Sequence, residues 1–162
     1  MTEHETLNRR ERIMELFREA VEAENARDLE TAKRKLDEIL HESLETEPEL
    51  YFETCFRLAD IFLQEDNYRG AVKCAIRAIL RAPSKDHYRL GVKMLGDVLA
   101  IIKKESRLSE LAENMDVTLK LVEGDEELYR FVQTLVKIAK GEKVEEPFSL
   151  EEFNEIIQLL TG

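Results

Sequence analysis

Residues 52–85, FETCFRLADIFLQEDNYRGAVKCAIRAILRAPSK, decide the fold. Apolar residues recur at helical spacing on both sides of Asp66-Asn67, a pair suited to a tight turn. Two helices therefore fold back on each other across that turn. Small residues stand where the two must touch: Ala59 on the first, and Ala71, Ala75 and Ala78 on the second. Pro83 ends the unit, since a proline can neither donate to a helix nor sit inside one without a clash. A 34-residue helix pair of this kind cannot bury its apolar face alone and needs neighbours stacked on it.

The rest of the chain supplies such neighbours. Periodicity predicts a first helix over about 5–26 (Leu7, Ile13, Leu16, Phe17, Ala20, Val21). A second follows over about 29–44 (Leu29, Ala32, Leu36, Ile39, Leu40), with Asp28 as its cap. Thr46-Glu47-Pro48-Glu49 reads as a capping box with proline in the first turn, opening a third helix over about 49–65. The fourth covers about 68–82. Ser84 opens a fifth over about 85–104, and Ser106 a sixth over about 107–123 striped by Leu108, Leu111, Ala112, Met115, Leu119 and Val122. Gly124 suits the end of that helix. Asp125 starts a seventh over about 126–140, and Ser149-Leu150-Glu151-Glu152 reads as a second capping box for an eighth over about 150–160. No stretch has the two-residue period of a strand. The short connections predict antiparallel neighbours.

The pattern repeats. A shift of 39 residues carries Phe17, Ala20, Ala32 and Leu40 onto Phe56, Ala59, Ala71 and Ile79. A shift of 37 carries Leu58, Ala59 and Phe62 onto Leu95, Gly96 and Leu99. On these residues the chain resembles the tetratricopeptide repeat family, whose signature is W-x2-L-G-x2-Y, then A-x3-F, A and P. The second unit has Cys55-x2-Leu58-Ala59-x2-Phe62, then Ala71-x3-Ala75, Ala78 and Pro83. Cys55 stands for the tryptophan and Ala75 for the large aromatic, so its core is thinner. The first unit has Leu16, Ala20 and Ala23, then Ala32, Leu36 and Ile39. The third keeps Val92, Leu95, Gly96 and Leu99 but has a longer turn, KKESR. The resemblance covers about residues 13–122 and is specific at 52–85. It implies an all-α chain: a right-handed solenoid of antiparallel helix pairs in one domain. Its units are about 13–46, 52–85 and 89–123, with a degenerate unit and a capping helix over 125–162.

The resemblance also implies function. In that family the first helix of each pair lines a concave groove that takes a peptide or helix of a partner. Carried over, the groove has Phe17, Val21 and Glu24 from the first unit, Phe56, Asp60, Leu63 and Gln64 from the second, and Lys93, Asp97 and Ile101 from the third. Some relatives clamp a C-terminal carboxylate there with basic side chains. Phe17, Val21, Phe56 and Asp60 hold the corresponding places here and only Lys93 is basic, so that activity does not carry over.

Composition narrows the function further. At 43% apolar and 36% charged, the chain is globular rather than disordered. A net charge of −11 argues against a duplex nucleic-acid binder, which must neutralise phosphates. No apolar run reaches the length of a membrane span, and the opening MTEHETLNRRER lacks the apolar centre of a secretory signal. Cys55 and Cys74 have no metal or redox spacing, which fits free thiols in a reducing cytoplasm.

The charge is uneven: residues 57–93 hold 8 basic and 4 acidic groups between two acidic flanks. Within them Arg69, Lys73, Arg77 and Arg81 share one face of the fourth helix, and Lys85, Arg89 and Lys93 continue the spacing. The stripe either meets an acidic partner or phosphates, or is a solvated face paired with nearby acids. Glu142, Glu145, Glu146, Glu151, Glu152 and Glu155 form the opposite pole, able to dock on the stripe of another copy. On the last helix Leu150, Phe153, Ile157 and Leu160 make a narrow apolar stripe. It serves either as a cap over an open end or as a self-association surface.

Catalysis has little support. The three histidines, His4, His41 and His87, lie near helix ends, and no HExxH, CxxC, glycine-rich phosphate loop or Ser/His/Asp grouping occurs. Glu42, Glu45 and Glu47 lie near His41 without metal-ligand spacing. Arg81 and His87 resemble the Arg-x4-6-His pair of helical HEPN ribonucleases, but Pro83 divides them between two helices. The expectation is a non-enzymatic adaptor or scaffold, monomeric or weakly dimeric, with a protein or peptide partner and no cofactor or metal. A homo-oligomer using the groove and last helix is the alternative. A helical nuclease or metal-dependent hydrolase comes third.

Overall fold

The turn at Asp66-Asn67 forms as its residues dictate. Asn67 Oδ1 accepts from the Gly70 amide at 2.9 Å and caps helix α4, Tyr68–Leu80. Asp66 takes a left-handed φ of 58° to reverse the chain after α3, Pro48–Gln64. Ala59, Ala71, Ala75 and Ala78 are all fully buried, so the pair closes on side chains of one carbon. The computed structural model describes residues 2–144 and 147–162, without the side chains of residues 4, 6 and 7. The readings of Leu7, His4, Glu145 and Glu146 lie outside the described residues.

The same turn recurs. Arg27 and Ser106 both have φ 62°. In each case the next amide reaches back to a carbonyl five residues earlier: Asp28 to Ala23 at 2.8 Å, Asn67 to Phe62 at 2.8 Å, and Arg107 to Ile102 at 3.0 Å. The left-handed residues are 39 and then 40 positions apart (27, 66, 106). The first interval equals the 39-residue shift of the side-chain pattern, and the second exceeds its 37-residue shift by three. A fourth turn of this type, with Gly141 at φ 81° and the Glu142 amide on the Lys137 carbonyl, ends α7.

The class is all-α: eight α-helices and no strand among the described residues. Helix α1, Glu3–Asn25, packs on α2, Leu29–Ser43; α2 packs on α3, α3 on α4, and α4 on α5, Lys85–Lys104. Close approach of α5 rests on Gly91, where a Cβ would stand 2.9 Å from Ile79 Cγ1 and 3.1 Å from Phe52 Cε2. Helix α7, Glu126–Ala139, packs on the segment before it. Helix α8, Glu151–Thr161, returns to lie on α5 and α7. Gly96 lets α8 in, since a Cβ there would meet Ile156 Cγ1 at 3.2 Å. Two tyrosines tie elements 37 residues apart at 2.7 Å: Tyr68 Oη donates to Glu105, and Tyr88 Oη to Asp125. No described helix is long and apolar enough to cross a membrane.

Side-chain caps form at Asp28, Ser84 and Asp125, each accepting from the amide three residues on. Elsewhere the local reading is corrected. The expected helix over 107–123 is a 3-10 turn, Leu108–Leu111, an irregular link, and a short α6, Asp116–Leu121. Asn114 breaks it with φ 61°, a conformation asparagine tolerates better than most residues. The break frees the Glu110 carbonyl, which accepts from Arg69 Nη1 at 3.1 Å. Ser106 is the left-handed turn residue rather than the cap, which falls on Arg107 without a side-chain bond. Gly124 is not at positive φ.

Neither capping box forms. Thr46 Oγ1 donates back to the Glu42 carbonyl, and the cap of α3 falls on Glu47, without a side-chain bond, ahead of Pro48 in the first turn. At α8 the work falls to Asn154, whose Oδ1 accepts from the Phe148 amide at 2.7 Å while its Nδ2 donates to the Phe148 carbonyl at 2.9 Å. The loop before α8 is thus stapled to the helix from inside.

Candidate binding groove

Helix α5 presents Leu90, Lys93, Met94, Asp97 and Ile101 at spacings that keep them on one side. Leu90 is 48% exposed and Ile101 43%, unusual for large aliphatic residues on a helix whose opposite side is fully buried. Beside Leu90 lies a run of three adjoining hollows. The first, about 510 Å³, is walled by Glu24, Asn25, Arg27, Arg57, Asp60, Ile61 and Gln64. The second, about 530 Å³, shares Arg57 and Asp60 and adds Glu49, Phe52, Glu53, Phe56, His87, Leu90 and Met94. The third, about 480 Å³, shares Leu90 and Met94 and runs on through Lys93, Gly96 and Asp97 to Glu152, Glu155, Ile156 and Leu159 of α8. Apart from Arg27 in a turn, every wall residue comes from α1, α3, α5 or α8.

Of the residues expected in a groove, Glu24, Phe56, Asp60, Gln64, Lys93 and Asp97 line these hollows. Phe17, Val21, Leu63 and Ile101 do not. Phe17 is half-buried beneath the Arg57 guanidinium, 4.7 Å from the ring centre, and Leu63 packs against the core. Phe56 is 6% exposed and edge-on to Phe52 at 5.3 Å, so it forms floor rather than a projecting anchor. The exposed anchors are Leu90 and Leu159, and Met94 beside them is half-buried against the core. Alignment of one unit on the next does not reach them, because they fall outside the equivalent positions. The 90, 94, 97, 101 spacing would have pointed to Leu90 and Met94.

Two of the basic side chains in and beside the hollows are occupied. Arg57 lies over Phe17 and 3.6 Å from Glu24. Arg89 Nε donates to Glu152 Oε2 at 2.9 Å. The hydrogen bond from Arg89 holds the Glu152 carboxyl below its ordinary range, opposed by burial. Its other oxygen, Oε1, is buried and has no hydrogen-bond partner among the described residues. By contrast Glu49, Glu53, Asp60, Asp97 and Glu155 form no ion pair within 4.0 Å among the described residues. Burial pushes the Asp60 carboxyl up, against the pull of Arg57, and because Asp60 is exposed, solvent screens much of the effect.

Two residues of the basic stripe on α4 bond to groups other than acidic side chains. Arg69 holds the Glu110 carbonyl. Arg77 Nη2 donates to Tyr51 Oη at 3.2 Å, with its guanidinium 6.0 Å from that ring centre. Lys73 is half-buried and Arg81 exposed. The acidic pole meets the basic run within one chain, at Arg89 and Glu152. The apolar stripe on α8 packs within the chain, as the capping reading of it expects. Phe153 is fully buried and Leu160 6% exposed, while Leu150 and Ile157 are half-buried against the core. His87, the histidine of the ribonuclease-like pair, bonds through Nδ1 to Ser84 Oγ at 2.7 Å and meets Phe52 edge-on. Among the described residues no three His, Cys, Asp or Glu side chains are placed to share a metal ion.

Compared with protein-family models, with curated proteins and with solved structures, the chain matches none of them.

Proposed function

We propose that this chain is a protein-interaction module, a small cytoplasmic adaptor that binds a peptide or helix of a partner in the hollows along α1, α3, α5 and α8, and performs no catalysis. Its architecture is a right-handed stack of antiparallel helix pairs of the tetratricopeptide type. Support for the stack comes from the turns at 39- and 40-residue intervals and from each helix packing on the next through α5. The observation that carries the function is the run of hollows with Leu90 and Leu159 exposed in it, 48% and 45%. Aliphatic side chains clustered in a concave strip mark a binding surface, whereas scattered ones do not.

The test uses three baits in native lysate: wild type, Leu90→Glu, and Val117→Glu as control. Val117 is 64% exposed and lies outside the hollows, so both substitutions add a charge at an exposed aliphatic position. A partner retained by wild type and the control, and lost with Leu90→Glu at unchanged helicity, is the expected result. Identical profiles for all three baits would contradict the reading. Phe56 is unsuitable for this purpose: it is buried, and a glutamate there would test folding.

A further inference from the structure

The hollows around Leu90 and Met94 have a marked chemical asymmetry. Their floor is apolar, while on the rim Glu53 and Asp60 stand to one side and Asp97 and Glu155 to the other, none in an ion pair among the described residues. Two of the bases nearby are taken: Arg57 by Glu24 and Phe17, and Arg89 by Glu152. Within the walls only Lys93, and Arg27 at the far end of the run, oppose the four carboxylates without an ion pair among the described residues. An apolar floor between unpaired acids excludes acidic ligands by repulsion and selects a cationic one.

We propose that the occupant is a basic amphipathic segment of a partner protein. One aliphatic side chain of that segment seats on Leu90 and Met94. Lysine or arginine side chains flanking it meet Glu53 and Asp60 on one side and Asp97 and Glu155 on the other. This proposal rests on the groove reading above and adds the chemistry of the ligand. A second copy fits less well. The basic stripe on α4 supplies charge, but the exposed large apolar residues among those described are Met14, Leu90, Ile101, Val117 and Leu159, none of them on α4. Binding of the proposed kind weakens with salt, because exposed charge pairs are screened beyond about 8 Å at physiological ionic strength.

The probe is a displayed library of random peptides panned on the full chain, with enriched peptides synthesised and their affinities measured by fluorescence anisotropy. The expected peptides carry net positive charge around an aliphatic residue and bind less well as NaCl is raised. Leu90→Glu abolishes their binding, the exposed pair Glu53→Lys with Asp97→Lys weakens it about tenfold, and Lys93→Glu strengthens it. Circular dichroism confirms that each variant folds. Acidic or uncharged peptides that still depend on Leu90 would overturn this inference and leave the groove reading standing. Peptides indifferent to Leu90→Glu, or no enrichment, would overturn both. Self-association seen by ultracentrifugation and abolished by Leu90→Glu would make the occupant a second copy and overturn the inference.

Discussion

Phe153 of α8 stacks on Phe131 of α7 with ring centroids 4.3 Å apart and planes inclined by 30°. Phe148 meets both rings at 5.6 Å, and Tyr88 of α5 meets Phe153 edge-on at 6.5 Å. The last helix is therefore held by an aromatic cluster that draws on three helices and the loop before it. Phe153→Ala should cost about 3–5 kcal/mol of unfolding free energy, as removing a fully buried phenylalanine does. Urea denaturation of the variant gives the value. A loss below about 1 kcal/mol, or a change of oligomeric state at unchanged stability, would mean the cluster is not part of the folding core.

The Arg89–Glu152 pair predicts a pH signature. In the folded chain the Glu152 carboxyl titrates below its ordinary 4.5. Its stabilising contribution is therefore fully present above pH 4.5 and is lost as pH falls through the lower folded value. The difference in unfolding free energy between wild type and Glu152→Gln should shrink as the pH is lowered below about 4.5. A difference that stays constant across that range would show that the charge of Glu152 is not what the pair contributes.

Arg27 occupies a left-handed backbone position while exposed. A non-glycine residue pays roughly 1–2 kcal/mol for that conformation, partly offset in a glycine by its larger unfolded-state entropy. Arg27→Gly should raise stability by roughly 0.5–1 kcal/mol, read as a shifted denaturation midpoint at unchanged slope. Asp66 is a poorer choice for the same change, because its carboxylate also accepts from Tyr68 Oη at 3.2 Å.

The two thiols should be inert in the native state. Burial pushes Cys55 up to about 12 and Cys74 to about 11, so neither supplies appreciable thiolate at neutral pH. Neither is in a disulfide. A thiol-reactive chromophore at pH 7 should label no cysteine in buffer and both in denaturant. Rapid native labelling of either would contradict the packing of α3 against α4.

Much of the helical layout was legible because it is written in local chemistry. Asp28, Ser84 and Asp125 cap their helices through atoms three residues away, and the alanines of α3 and α4 occur at contact spacing. Two kinds of feature escaped. Helical periodicity in 108–122 continues straight through Asn114, so one left-handed residue breaks a helix whose apolar stripe looks intact. Pairings across long separations were also invisible. The stripe on α8 could be recognised as apolar but not assigned a neighbour, because Phe131 and Tyr88 are distant in sequence, as is Arg89 from Glu152. The groove was half legible for the same reason. Aligned units located Asp60 and Asp97, whereas Leu159 became a wall residue only through the return of α8 onto α5.

The central claim is that α3, α5 and α8 together present the working surface. Backbone NMR of the isotopically labelled chain, titrated with the partner segment retained by the wild-type bait, tests it most directly. The account predicts that shift changes concentrate at Asp60, Leu90, Met94, Asp97 and Leu159 and leave the α4 stripe unmoved. Changes centred on Arg69, Lys73 and Arg81, with the hollows silent, would contradict it.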